Sequence, residues 1–330
     1  MYKSFYNLTR NPFDLSPDPT CFVATARHNE ALAALYYGIV RHKGVVVVTG
    51  EVGTGKTLML RCLLQLFKSS SEISYAYLFN CRLSSNEFLH YVAADFGLEA
   101  NEQRSKSGLL LDLSRYVTSR GLQGLTTVLI VDEAHNLSVE LLEEIRLLSN
   151  LETNDDKLLQ IVLVGQPELD LKLDSFDLRP LKQRIAFRAH LSPLDEQDTE
   201  KYIHERLAIA GAGSRAEPLF SPEALKAINK YSKGFPRLIN TICENALITG
   251  YAQQLTTISP EIITGVARDF HLSSNGFKLN KKADGEADLD LERAKNFFLD
   301  LYSAMKRPTE SDSELNAPIT VEAGEHESDI

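Results

Sequence analysis

The residues best suited to chemistry form a glycine-rich segment, Gly50-Glu-Val-Gly-Thr-Gly-Lys56-Thr57, which matches the pattern G-x-x-x-x-G-K-[S/T] in full. A short apolar run at residues 45–48 precedes the segment, and a stretch with helical periodicity follows it. Glycines let the backbone fold round an anion, so that successive N–H groups and the start of the next helix point at phosphate oxygens. The segment therefore predicts a site for nucleotide phosphates; the alternative is a glycine-rich turn with a surface lysine. The predicted nucleotide-binding residues are Gly50, Glu51, Val52, Gly53, Thr54, Gly55, Lys56, Thr57 and Leu58.

Within this site the two last residues of the motif have separate roles. Lys56 is expected to reach the β- and γ-phosphates of ATP, and Thr57 to supply a hydroxyl group to Mg²⁺. Lys56 thereby counts among the predicted catalytic residues, and Thr57 among the predicted metal ligands.

Two adjacent carboxylates follow a second apolar run, in Val128-Leu-Ile-Val-Asp132-Glu133. Acids at the carboxyl end of a central parallel strand lie where α/β folds bind ligands. We expect Asp132 to hold the Mg²⁺ shell and Glu133 to orient and polarise a water molecule for attack on the γ-phosphate. By themselves the two acids are better explained as stabilising the start of the next helix; the glycine-rich segment upstream favours the metal site.

The same acids belong to the tetrapeptide Asp132-Glu-Ala-His135, which is the box of one helicase class. Those enzymes need two tandem motor domains and further arginine-rich motifs, for which the sequence has neither the length nor the residues. We therefore interpret His135 as a local structural or coupling residue.

Four weaker polar positions complete the candidate set. Gln166 closes the fourth predicted strand and is expected to sense the γ-phosphate or position water, or else to cap a turn. Arg184 and Arg188 lie before or on the fifth strand, where one of them is a candidate arginine finger acting across a subunit interface; the alternative is surface ion pairing. Arg237 opens a helix, where the dipole disfavours a cation, and this placement favours a phosphate-sensing role.

These residues must be positioned by alternating strands and helices. Buried-strand patterns at residues 45–48, 75–79, 127–131, 158–164 and 185–190 alternate with helical patterns at 29–41, after 57, and at 86–96, 109–120 and 139–148. Such alternation predicts an α/β fold, a three-layer αβα arrangement with a parallel sheet and helices on both faces. After Pro193 only helical patterns follow, at 196–210, 222–232, 236–252 and 260–270, so we expect a small C-terminal all-helical lid domain.

Composition sets the outer limits on function. The 330 residues carry a formal charge of −10, and residues 271–330 alone contribute 7 basic and 13 acidic residues, so a strongly basic nucleic-acid surface is excluded. The four cysteines show no CxxC spacing, and no apolar run approaches the ~18–20 residues that span a bilayer. The N-terminal residues lack the apolar stretch of a signal peptide. We expect a reduced, cytoplasmic protein without direct membrane insertion.

Four segments are predicted along the chain. Residues 1–30 form an N-terminal docking segment whose aromatic anchors are Phe5, Phe13 and Phe22. Residues 31–192 form the α/β ATP-binding domain and residues 193–272 the helical lid. Residues 273–330 form an acidic, partly disordered tail with one amphipathic stretch at 289–305.

The motifs in this order resemble the AAA+ ATPases over roughly residues 1–270, in particular those of the general secretion pathway protein A type, whose relatives include pilus-biogenesis and polysaccharide-locus ATPases. The narrower resemblance is carried by Phe5-Tyr-Asn-Leu-Thr-Arg-Asn-Pro-Phe13, Ser16-Pro-Asp-Pro19, His28-Asn-Glu-Ala-Leu32, the glycine-rich segment, Val164-Gly-Gln-Pro-Glu-Leu169 and Gln183-Arg-Ile185. Where many AAA+ proteins have Asn, Ser or Thr as first sensor, this sequence has Gln166, as the narrower family does.

The resemblance implies a P-loop domain plus a helical lid, with ATP bound between them and between neighbouring subunits of a nucleotide-dependent homo-oligomer. It implies metal and water roles for Asp132 and Glu133, sensor roles for Gln166 and Arg237, and a trans-acting role for Arg184. The N-terminal segment around His28 would lie against the adenine.

Three functions remain in view at this point. The leading hypothesis is a Mg²⁺-dependent ATP hydrolase that drives assembly or remodelling of an envelope secretion or polysaccharide-export system, in the cytoplasm or at the inner face of the cell membrane. The first alternative is a DNA-associated regulatory ATPase of the transposition-helper type, which the near-neutral body and acidic tail mildly disfavour. The second is an ATP-binding switch that does not hydrolyse.

Overall fold

The sheet that carries the candidate residues has five strands, all parallel, in the order β2-β3-β4-β1-β5. The computed structural model describes residues 2–79, 81–101, 104–153, 156–212 and 218–272. The strands are β1 (Val45–Gly50), β2 (Ile73–Leu78), β3 (Thr126–Val131), β4 (Leu159–Gly165) and β5 (Ile185–Leu191). Because every strand runs the same way, all five carboxyl ends meet at one edge, and the parallel α/β sheet predicted from the sequence is confirmed.

Twelve α-helices accompany the sheet in the described ranges, and several of them begin where a side chain caps the first turn. Ser84, for example, closes a capping box with Glu87. The helices are α1 (Tyr2–Phe5), α2 (Ala26–Val40), α3 (Lys56–Lys68), α4 (Ser85–Asp95), α5 (Lys106–Leu122), α6 (Val139–Leu148), α7 (Glu168–Leu173), α8 (Arg179–Lys182), α9 (Glu196–Ile209), α10 (Pro222–Ser232), α11 (Pro236–Ala252) and α12 (Pro260–Asp269).

Alternate residues of the central strands divide the core into two layers, as the period-2 geometry of a strand requires. Val46 and Val48 pack with α2 and α3 on one face, whereas Val45 and Val47 pack with α4, α5 and α6 on the other. β1 and β4 are buried along their whole length, because helices cover both of their faces. The three-layer arrangement is therefore the one expected from the uninterrupted apolar runs.

A third hydrophobic cluster joins α9–α12 to the start of the chain. Tyr6 and Phe13 are fully buried in it. The guanidinium group of Arg206, itself buried, donates to the carbonyl oxygens of Pro12 at 2.6 Å and Asp14 at 3.2 Å. The hydroxyl of Tyr2 contacts both carboxylate oxygens of Glu244, at 2.8 and 2.7 Å. The N-terminal residues thus pack chiefly on the helical region, while Phe22 lies in the α2–α3 layer.

The structure also corrects several expected boundaries. α2 begins at Ala26, earlier than the expected 29, because the side chain of Thr25 caps it. β2 runs Ile73–Leu78 rather than 75–79. The short helices α1, α7 and α8 were not predicted, since four to six residues are too few to show helical periodicity.

Two further expectations concern the C-terminal residues and the membrane. The acidic tail at 273–330 and its amphipathic stretch at 289–305 lie outside the described residues. Within the described ranges, no helix combines the length and the apolar character needed to cross a membrane.

Candidate nucleotide-binding site

The glycine-rich loop between β1 and α3 has the backbone conformation that its glycines allow. Gly53 and Gly55 have φ values of +85° and +97°, a region that side chains with a Cβ rarely adopt. Gly55 precedes α3 and supplies no capping side chain, so the first-turn N–H groups of α3 receive no side-chain cap. N–H groups at a helix N-terminus bind anions well.

Lys56 lies across the mouth of this loop. Its ammonium group donates to the carbonyl oxygens of Gly50 at 2.7 Å and Glu51 at 2.9 Å, and the residue is 6% exposed. Burial lowers the pKa of Lys56, whereas the nearby carboxylates of Glu133 and Asp132 act in the opposite direction. The lysine is therefore held by neutral carbonyl groups that an anion with full negative charge can replace.

Asp132 lies directly beyond the end of β3, facing α3. One oxygen, Oδ2, accepts from the hydroxyl of Thr57 at 3.2 Å and from that of Tyr77 at 3.0 Å. The other, Oδ1, accepts from the backbone N–H of Glu133 at 2.8 Å. Asp132 is 4% exposed. Mg²⁺ takes hard oxygen ligands and is usually held by one or two protein oxygens plus substrate phosphates, and the oxygens of Thr57 and Asp132 beside the loop fit this ion.

Tyr77 and Cys81 were missed as partners of Asp132. Burial and the Asp132 carboxylate raise the pKa of Tyr77, so its hydroxyl keeps its proton and donates. The Cys81 thiol donates to the carbonyl oxygen of Asp132 at 3.0 Å, and burial raises its pKa to about 12. A tyrosine near the end of a predicted strand was a visible signal, but only the pairing of β2 with β3 places it beside Asp132.

Glu133 follows Asp132 with a left-handed backbone, φ +53°, which is uncommon for a residue with a side chain. Its Oε2 atom lies 3.4 Å from Nδ1 of His135. The side-chain amide nitrogen of Gln166 lies 3.0 Å from Nε2 of the same imidazole. The ends of β3 and β4 thus bring Glu133 and Gln166 to one place, joined by a histidine.

Arg237 comes to the loop from the helical region. It stands in the first turn of α11, and its backbone N–H donates to the carbonyl oxygen of Gly53 at 3.3 Å. A Cβ on Gly53 would lie 3.0 Å from the Cβ of Arg237. The side chain is exposed, and no hydrogen bond or ion pair of its guanidinium group is found in the described part of the chain. A cation at this position can meet an anion held by the loop.

His28 braces the loop from α2. Its Nε2 lies 3.0 Å from the carbonyl oxygen of Thr54, and its Nδ1 lies 2.8 Å from the hydroxyl of Thr25. Phe22 meets the imidazole edge-on, and burial lowers the pKa of His28. Both ring nitrogens therefore have protein partners; a contact of this segment with adenine stays a prediction.

The two candidate finger arginines lie apart from this site. Arg184 immediately precedes β5, at the edge where the strands begin, about 20 Å from the loop if β5 rises about 3.3 Å per residue. Its guanidinium group donates to the carbonyl oxygen of Ser149 at 3.5 Å. Arg188 is paired with Asp170 at 3.2 Å. Arg184 therefore lies too far from the loop to contact a phosphate bound there, and its role across a subunit interface stays a prediction.

Comparisons with known proteins agree with this fold and loop. A family described as "AAA domain" matches residues 40–173. General secretion pathway protein A of Aeromonas hydrophila is 44% identical over 254 residues, which are 77% of this chain and 45% of that protein. The Mu-like prophage FluMu DNA transposition protein B of Haemophilus influenzae is 25% identical over 184 residues, 54% of this chain and 59% of that protein. The chain thus spans about half the length of the curated relatives it matches.

A solved structure shares the architecture at low identity. The crystal structure of Cdc6p from Pyrobaculum aerophilum superposes with a TM-score of 0.60 at 21% identity, covering 78% of this chain and 70% of that one. A sequence identity this low supports a shared fold and nothing more specific.

The matched domain, the parallel sheet and the loop geometry together define the class: the chain has the P-loop fold of the AAA+ ATPases. Within that family it is similar to general secretion pathway protein A, as the resemblance of its N-terminal and Val164–Leu169 motifs predicted. The resemblance to this kind of ATPase that the sequence indicated is confirmed.

Proposed function

We propose that this chain binds Mg·ATP at the loop between β1 and α3, hydrolyses it, and uses the cycle to assemble or remodel an envelope secretion or polysaccharide-export apparatus. The proposed location is the cytoplasm, at the inner face of the cell membrane. The similarity to general secretion pathway protein A supports the cellular role. The catalytic part is supported by one observation above all, the contact of Thr57 with Asp132 at 3.2 Å next to Glu133.

The residues of the site divide the work of hydrolysis. Lys56 exchanges its two carbonyl partners for the β- and γ-phosphates, and the loop N–H groups hold the remaining oxygens. Thr57 and Asp132 would hold Mg²⁺, which supplies neutralisation of phosphate charge. The carboxylate of Glu133 orients a water molecule in line with the γ-phosphate and accepts its proton.

Two further side chains would respond to the phosphate. Gln166 lies beyond the end of β4, where an amide can contact the γ-phosphate or the attacking water. Arg237 belongs to α11, so its attraction to the phosphate would change how the helical region sits on the loop. A partner that contacts the helical region would then read the ATP state.

The catalytic assignment is tested by separating binding from turnover. Lys56→Ala should abolish binding of Mg·ATP, and Glu133→Gln should bind Mg·ATP but lose turnover. Lys68→Ala, at the exposed end of the same helix, and Glu140→Gln, an exposed acid in the first turn of α6, are the matched controls. Wild-type turnover in Glu133→Gln would exclude it as the base.

A trans role for Arg184 is supported by its place at the opposite edge of the sheet. Arg184→Ala and Glu133→Gln should each be inactive, because one lacks the finger and the other the base. A mixture should regain activity, since interfaces that pair an intact Arg184 with an intact Glu133 form again. A mixture as inactive as its components would exclude action between subunits.

A second candidate function, a DNA-associated regulatory ATPase, is favoured by the similarity to the DNA transposition protein B of a Mu-like prophage. Binding to a DNA backbone displaces counterions and is therefore steeply salt-dependent. Stimulation of ATP turnover by duplex DNA that disappears between low and moderate salt would support this function. Turnover indifferent to DNA at low salt would exclude it.

A further inference from the structure

The turn Ala134–Asn136, a single 3₁₀ turn after Glu133, is fixed from two sides. A Cβ on Gly165, the last residue of β4, would lie 3.1 Å from the backbone nitrogen of His135, so a glycine there permits close approach. From α7, the ammonium group of Lys172 donates to the carbonyl oxygens of His135 at 2.6 Å and Leu137 at 2.8 Å. The backbone that carries His135 is therefore held in place independently of the imidazole ring.

The imidazole of His135 lies between the proposed sensor and the proposed base. Its Nε2 is 3.0 Å from the side-chain nitrogen of Gln166, and its Nδ1 is 3.4 Å from Oε2 of Glu133. The backbone N–H of Gln166 also donates to Nδ1, at 3.4 Å. The imidazole therefore contacts Gln166 at both ring nitrogens and lies beside the carboxylate of Glu133 on its Nδ1 side.

The surroundings of the His135 ring fit a side chain that connects two site residues better than one that only fills space. The side chain of His135 is 13% exposed and that of Glu133 is 44% exposed. Both ring nitrogens of His135 are directed at residues already placed in the candidate site. An aliphatic side chain would fill the same space without connecting Gln166 to Glu133.

We propose that His135 is a positioning residue that couples Gln166 to Glu133, so that the catalytic carboxylate responds to whether the amide of Gln166 is engaged with the terminal phosphate. This inference rests on the proposed function and deepens it. While Gln166 is bound to the imidazole, the ring is kept beside the carboxylate of Glu133 and holds that carboxylate in its resting position. When the phosphate draws the amide away, Nε2 loses its partner and the hold on Glu133 changes.

A double-mutant cycle tests this coupling. His135→Ala and Gln166→Ala should each lower kcat by about tenfold, and the double variant should lose little more than either single one, because both break the same link. Binding of a slowly hydrolysed ATP analogue should stay within about twofold in all three variants, which shows that the loop is intact. His204→Ala is the control, since the His204 ring contacts the Glu200 carbonyl of its own helix.

A conservative replacement adds a second readout. His135→Asn keeps a polar amide near the position of Nδ1 and should recover part of the lost kcat, while KM stays unchanged. Losses that multiply to about 100-fold in the double variant would overturn the coupling. A wild-type protein that binds ATP but never hydrolyses it would instead overturn the proposed function, so the two failures are distinguishable.

Discussion

The backbone N–H of Arg237 donates to the carbonyl oxygen of Gly53 at 3.3 Å. This hydrogen bond joins the first turn of α11 to the middle of the phosphate loop. The helical region therefore contacts the loop through α11, and any change in loop geometry on nucleotide binding reaches α11 directly.

Removing the guanidinium group of Arg237 is expected to slow hydrolysis more than it weakens binding. Arg237→Ala keeps the backbone contact with Gly53 but loses the only charge that α11 presents from its first turn. Loss of one donor to developing phosphate charge costs on the order of 100-fold in kcat. Steady-state ATPase rates and analogue binding measure both effects. Lys226→Ala, an exposed lysine on α10, is the control; an unchanged rate in Arg237→Ala would contradict the prediction.

Two glycines with positive φ allow a test that separates backbone strain from a steric clash between an added Cβ and its neighbours. Gly55→Ala and Gly97→Ala both place a Cβ at positive φ, +97° and +77°, and each should cost about 1 kcal/mol in the free energy of unfolding. Only at Gly55 would the Cβ meet a neighbour, Nε2 of His28 at 3.1 Å, whereas nothing lies within 4 Å at Gly97. Gly55→Ala alone should therefore lose ATP binding. Urea unfolding and calorimetric titration give the two quantities, and equal binding in both variants would count against the steric explanation.

Stability should fall as the solution is acidified through the range of His28. Burial lowers the pKa of this imidazole below its ordinary value of 6.5, partly opposed by the bond to Thr54 and by Asp198. Below pH 6.5 the unfolded chain takes up a proton that the folded chain refuses, so the stability present above that pH is lost as pH falls. His28→Gln should flatten the dependence of the urea midpoint between pH 7.5 and 5 by removing this group. His204→Gln is the matched control, and an equal slope in His28→Gln and wild type would refute the assignment.

Tyr77 is expected to set how firmly Asp132 is held for the metal. Tyr77→Phe removes the hydroxyl that donates to Oδ2 of Asp132 at 3.0 Å, and outer partners of this kind typically change metal affinity by about 10–100-fold. The Mg²⁺ concentration needed for half-maximal nucleotide binding should therefore rise, while binding without Mg²⁺ stays the same. Tyr75→Phe on the same strand is the control, because the Tyr75 ring packs on Phe67. A Mg²⁺ dependence identical to wild type would show that Tyr77 does not support Asp132.

Local patterns in the sequence were enough to predict much of the architecture. Residues 45–57 combine an apolar run, a glycine-rich loop and a helix start, and β1 and α3 form there as expected. Alternation of apolar runs and helical periodicity predicted the parallel sheet, because the spacing of apolar residues in each segment indicates which of its faces are buried. The roles of Lys56, Thr57, Asp132 and Glu133 in catalysis remain predictions, although the structure brings these residues together.

What the sequence could determine by itself was local: the chemical types of the site residues, the motif that contains them and the elements that carry them. The tertiary structure decided their neighbours. Strand order places His135 between Gln166 and Glu133, Tyr77 beside Asp132, and Arg184 at the far edge of the sheet. The docking of α11 places Arg237 on Gly53. Such contacts join residues far apart in the chain, and they depend on how whole elements pack, which no short-range periodicity records.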